Sequence, residues 1–156
     1  MLKATKTDLI DKSNGSKSTV AQLIAAAAVA FHTKRTGHTP KSVTVVLGAD
    51  TLVVTLHEAL SPAEQMLAKS NEGADQVQKY HRELFTSSCE PLRQEIKRIT
   101  GVEVREATAE VEPATGTVVQ IFTTGTMVQV FQLAKSVPAD NWSGNGNGEQ
   151  VVKMEV

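Results

Sequence analysis

The chain has 156 residues, 40% of them hydrophobic, with 16 basic and 17 acidic residues and a net charge of −1. That length fits one domain with a buried core, and the even charge balance excludes a general nucleic-acid binder, whose affinity needs a basic surface. The single cysteine, Cys89, excludes an internal disulfide and suits a reducing compartment; no apolar run reaches the ~20 residues that span a bilayer, and the first residues lack a signal-peptide core, so a cytoplasmic protein is expected.

Residues 1–15 are polar, with Lys3, Lys6 and Lys12, and read as a mobile leader. Gly15-Ser16-Lys17-Ser18-Thr19 resembles a phosphate-binding loop only superficially: Gly and Lys are not adjacent and no strand precedes it. These hydroxyls are expected to cap the next helix. There, Val20, Leu23, Ile24, Ala27, Ala28 and Phe31 form a stripe at helical spacing. Lys34 and Arg35 fall in the last turn, Gly37 supplies the stop, and Pro40 prevents continuation.

Ser42 to Glu58 reads as a hairpin with its loop at Gly48-Ala49-Asp50-Thr51. Val43, Val45 and Leu47 then face Leu56, Val54 and Leu52 on one wholly aliphatic side. The other side carries Thr44 opposite Thr55 and Val46 opposite Val53.

Ser61 to Gly101 is the longest helical pattern. Ser61, Pro62 and Glu64 make a capping box with proline at the first helical position. Met66, Leu67, Ser70, Ala74, Val77, His81, Leu84, Phe85, Ser88, Leu92, Ile96 and Ile99 follow in threes and fours. A straight rod of that length would measure ~60 Å and overhang its own domain. A break is therefore expected at Asn71-Glu72-Gly73, with a kink at Pro91 inside the second piece; the alternative is an unbroken rod packed on a second subunit.

A second hairpin is expected from Val102–Glu112 and Thr117–Thr123, turning at Pro113-Ala114-Thr115-Gly116. Its alternation is uneven: Val102 and Val104 have one parity, Ala107, Ala109 and Val111 the other. Either a bulge sits near Arg105-Glu106 or both faces are partly covered. Met127 to Leu133 is apolar, and its period does not choose between strand and helix. Residues 136–156 read as a flexible tail, whose final Val-Val-Lys-Met-Glu-Val either pairs onto a sheet edge or hangs loose.

The fold class is thus α+β: a two-layer sandwich in α-ββ-α-ββ order, with helices on one face of an antiparallel four-stranded sheet. The domain spans 16–135. The open face, with Val46, Val53, Val119 and Ile121, is too apolar to be fully wet, so a homodimer is expected through it or through the long helix.

No residue set announces a reaction, and neither an enzyme nor a cofactor or metal is expected. His32, His38, His57 and His81 include no pair at ligand spacing. His81 lies on the apolar stripe and reads as an interior histidine, Cys89 as a small buried hydrophobe. Trp142 could anchor a partner. Glu103, Glu106, Glu110 and Glu112 read as an exposed face. The one candidate ligand site is an anion or carboxylate site at the start of the Ser61 helix, with His57, Glu58 and Arg35.

Arg35-Thr-Gly37-His-Thr-Pro40, Leu52-Val-Val-Thr-Leu-His-Glu-Ala-Leu60, Ser61-Pro-Ala-Glu64, and Leu92 to Gly101 before Val102 together resemble one bacterial domain family. It is named after MpsC, a component of a sodium-translocating, membrane-potential-generating system. The resemblance covers residues 16–123. It implies an accessory or regulatory protein beside a membrane cation or inorganic-carbon system, peripheral to the inner face of the membrane through a membrane-protein partner. It supplies no catalytic residues, and a chain without a membrane span cannot itself translocate sodium. The alternative function is a small-anion or metabolite sensor acting at the Ser61 site.

Overall fold

The computed structural model describes residues 18–123, 130–131, 133–138 and 150–156, the side chains of 123 and 150–154 excepted. Trp142 and most of the Met127–Leu133 stretch lie outside the described residues.

Helix α1 runs from Val20 to Thr36. Thr19 caps it: its hydroxyl accepts from the Gln22 amide at 3.2 Å, and Gln22 Oε1 accepts from the Thr19 amide at 2.9 Å. Gly37 ends it in the left-handed region, φ 74. Its buried side is Ala21, Ile24, Ala25, Ala28 and His32, so the stripe read from the sequence is rotated. Leu23 turns outward and Ala27 is only partly buried. In a helix so rich in alanine, close approach of small side chains decides the packing face more than the position of the largest one.

Strands β1 (Ser42–Gly48) and β2 (Thr51–His57) pair in the expected register, with Val43, Val45 and Leu47 opposite Leu56, Val54 and Leu52. The turn needs only Ala49 and Asp50, with Ala49 at φ 49.

The 61–101 stretch is helical but divided twice. Helix α2 is Pro62–Leu67, α3 is Asn71–Ser88 and α4 is Glu90–Thr100. The first break falls at 68–70, ahead of the expected Asn71-Glu72-Gly73. Ser70 caps α3 by accepting from the Gly73 amide at 3.0 Å, and Asn71 and Gly73 belong to the new first turn. Gly73 is the residue that lets the two helices meet, because a Cβ there would stand 1.8 Å from the Leu67 carbonyl oxygen. The second division replaces the expected kink. Pro91 lies in the first turn of a separate helix, where a missing amide hydrogen costs nothing.

Strands β3 (Glu106–Glu112) and β4 (Thr117–Thr123) form the second hairpin. β3 starts four residues later than expected, which removes the parity conflict without a bulge. Arg93 of α4 explains the late start: its guanidinium donates to the Val104 carbonyl at 2.7 Å and the Arg105 carbonyl at 3.1 Å. β4, however, is shielded on both sides, with Val118, Val119, Gln120 and Phe122 all buried.

The sheet order is β3-β4-β2-β1-β5, antiparallel throughout. The four expected strands are joined by β5 (Gln150–Glu155), which pairs with β1; of the two outcomes for the last residues, the chain takes edge pairing. One sheet face presents Val111, Val118, Leu56 and Val43 in one row, Ala109, Gln120, Val54 and Val45 in the next, and Ala107, Phe122, Leu52 and Leu47 in the third. Helix α1 lies over β1 and β5, α3 over β3, and α4 packs on α1. Phe85 of α3 fills the middle, edge-on to Phe31 and Phe122, each 6.1 Å away between centroids. The exposed edge of β3 is guarded by α3: Gln78 donates to the Val111 carbonyl at 3.2 Å, and Arg82 forks onto Glu110 at 2.8 and 3.2 Å.

Candidate functional site

Four places carry polar chemistry or unpaired surface, and each follows from the fold. The first is the start of α2. The Ser61 hydroxyl accepts from the Glu64 amide at 3.2 Å and donates to the Glu64 carboxylate at 2.9 Å. The other Glu64 oxygen pairs with His81 Nε2 of α3. Burial opposes the charge on Glu64, but the hydrogen bonds from His81 and Ser61 outweigh it and hold its pKa at about 2. A carboxylate therefore occupies the place where an anion was expected.

Behind that pair lies a buried polar cluster. His32 and His81 are each 3% exposed, and their rings stack 6.0 Å apart with an interplanar angle of 10°. His32 Nε2 donates to the Ala59 carbonyl at 3.0 Å. Burial lowers the pKa of His32, and the neighbouring His81 lowers it further, while the Ala59 bond works the other way. Arg35 and Gln120 border the same narrow cleft, with about 20 Å³ of free space. The Gln120 Oε1 and Arg35 Nε atoms have no protein partner there. That space is room for one water molecule and no more. The pair of His81 and Glu64 ties α2 to α3.

The candidate residues read from the sequence do not converge. Arg35 stacks its guanidinium 4.9 Å over the Phe31 ring and donates to the Ser88 carbonyl at 3.3 Å, closing the end of α3. His57 bonds the Thr44 hydroxyl at 2.9 Å across the first hairpin. Glu58, at φ 47, pairs with Lys41 at 3.7 Å. Ser61 is consumed by its own cap.

Glu58 instead borders the third place, an open groove of about 680 Å³ between the start of β1, the end of β2, the α2–α3 link and the β3–β4 turn. Its cationic side chains are Lys41 and Lys69, and His38 lines it beside them. Sequence reading missed it because Lys41 and Lys69 come from unrelated segments with no shared spacing. Gln120 did leave a signal: it is the one polar residue among Val118, Val119, Ile121 and Phe122. Among the described residues, no group of three or more His, Cys, Asp or Glu is arranged to hold a metal ion.

The fourth place is the sheet face away from the helices. Thr108, Ile121, Val53 and Val46 stand in one cross-strand row, and Glu110, Val119, Thr55 and Thr44 in the next. Val46 is 37% exposed and Val119 is buried. Among the described residues, no helix is long and apolar enough to cross a membrane.

Residues 16–126 match the family model described as "Na+-translocating membrane potential-generating system (MpsC)". The chain belongs to the MpsC family. Among the described residues, the match covers both hairpins and the four helices, while β5 lies beyond it. Among curated relatives, the uncharacterized protein YbcI of Bacillus subtilis (strain 168) is 33% identical over 73 residues. That alignment covers 47% of this chain and 59% of YbcI, so the chain spans less than two thirds of that relative. No solved structure matches the chain. The MpsC description names a membrane system, and nothing in it assigns a reaction or a ligand to this domain.

Proposed function

We propose that this protein is a non-enzymatic accessory subunit of the membrane system its family is named for, acting as a homodimer joined through the open sheet face. The observation that carries the reading is the apolar row Ile121–Val53–Val46, which no helix covers among the described residues. Burying a patch of branched side chains against its own copy removes that surface from water at about 25 cal/mol per Å², and a twofold axis through the sheet sets each row against its counterpart. Val46 is exposed and Val53 and Ile121 are half-buried in the single chain, so the row still has surface to lose to a partner. The dimer would then meet a membrane-embedded partner, which supplies the ion path.

Light scattering after size-exclusion chromatography tests the reading. The wild-type chain is expected at twice the chain mass at micromolar concentration, and Val46→Glu with Ile121→Glu at the single chain mass with an unchanged far-UV spectrum. A wild-type chain that runs at 16.7 kDa overturns the dimer. In the anion-sensor alternative, a ligand at the start of α2 would have to share it with the Glu64 carboxylate.

A further inference from the structure

We infer that the groove bordered by His38, Lys41, Glu58 and Lys69 is a binding site for a small multivalent anion, a phosphate group or a compact dicarboxylate. This goes beyond the accessory role and rests on a different surface from the proposed dimer face.

Four separate segments build the groove, so its shape is a product of the tertiary fold rather than of one loop. Its volume of about 680 Å³ falls within the range of small-molecule sites, about 300–1,000 Å³. Lys41 and Lys69 face it with a single carboxylate, that of Glu58. Lys69 makes no ion pair among the described residues. Among the described residues Lys41 pairs with Glu58 at 3.7 Å, both side chains exposed to solvent, and a doubly charged ligand can displace such a pair.

The remaining wall fixes the size and character of the ligand. Ala68, Pro113, Ala114 and Gly116 give a smooth apolar side, and Leu60 lies beneath Gly116, 3.8 Å from where a Cβ would sit. His38 donates to the Glu58 carbonyl at 3.1 Å, and Glu58 holds a left-handed backbone conformation, φ 47. Such non-glycine conformations persist where the surrounding structure enforces them, and they gather at ligand sites. One side of the groove, Gln65 with Ala68 and Lys69, belongs to α2 and the link that follows it. α2 buries no residue of its own, so this wall can adjust to a ligand at small cost.

The test is a ¹⁵N–¹H NMR titration of the full chain with inorganic phosphate, with succinate, and with sodium chloride at matched ionic strength. Saturable shifts are expected at His38, Lys41, Lys69 and Ala114–Gly116 with phosphate, succinate or both, and not with chloride; the probe that saturates identifies the ligand chemistry. Lys41→Gln and Lys69→Gln are each expected to weaken binding by about two- to fivefold, and Lys69→Arg to retain it. Two results overturn the site: shifts that do not saturate or that chloride reproduces, and shifts that survive unchanged in the folded Lys41→Gln/Lys69→Gln double variant. Either result leaves the oligomeric state untouched, so this inference and the dimer stand or fall separately.

Discussion

The imidazole rings of His32 and His81 lie parallel, 6.0 Å apart, in the interior between α1 and α3. Burial favours neutral His32 in the native chain. The unfolded chain binds that proton near pH 6.5, so the native state holds fewer protons below that pH, and stability falls as the pH drops. Glu64 adds a second limb: its folded pKa is about 2 against an ordinary value of 4.5, and its contribution is present above 4.5 and lost as the pH falls from there toward 2. Urea midpoints measured from pH 7.5 down to 3.5 should decline below pH 6.5 and more steeply below 4.5. In His32→Gln the decline that sets in below pH 6.5 should flatten, even where the variant is weaker at neutral pH.

The Glu64 carboxylate is the main tie between α2 and the body of the domain, since α2 itself buries nothing and exposes Met66 at 65% and Leu67 at 46%. Glu64→Gln keeps the shape and removes the charge. It should cost about 1–3 kcal/mol in chemical denaturation, because His81 keeps a weaker partner in a buried place. Hydrogen exchange should quicken most at residues 62–70 and least in β1 and β2.

Gly73 is required by contact rather than by backbone angle. In Gly73→Ala the new methyl meets the Leu67 carbonyl, and the link between α2 and α3 must shift. The expected cost is ~1–3 kcal/mol, the usual range for overpacking, although alanine is the better helix former. A thermal melt decides: a variant as stable as wild type would mean that the two helices can part without loss.

Gln78 and Arg82 shield the β3 edge from α3. Gln78→Ala with Arg82→Ala should change the melting midpoint little, because the Arg82–Glu110 pair is exposed and the Gln78 bond is only partly buried. Aggregation on prolonged warming below the midpoint, followed by turbidity, should rise clearly as the edge is uncovered.

Much of this architecture is legible in the sequence where one local rule acts alone. The β1–β2 register follows from strict alternation around a short loop, and the starts at Thr19 and Ser61 follow from hydroxyl and carboxyl groups three residues apart. The reading slips where a distant side chain decides. Arg93 holds the Val104 and Arg105 carbonyls out of β3, and no period announces that. Asn71 and Gly73 look like breakers by propensity, yet Ser70 turns them into a helix start. His81 was recognisable as interior from its place on the stripe, but its partner Glu64 lies in another helix. The groove gathers Lys41, Lys69 and the β3–β4 turn from three segments, which sequence spacing alone does not bring together.

The pairing of β1 with β5 joins residues about 100 positions apart. On a ribosome adding roughly 5–20 residues per second, the hydrogen-bonding groups along that side of β1 wait on the order of 5–20 seconds for their partner. During that interval the nascent chain offers a strand rich in valine to whatever is near, and chaperone capture or swapping between neighbouring polysomal chains competes with closure of the sheet.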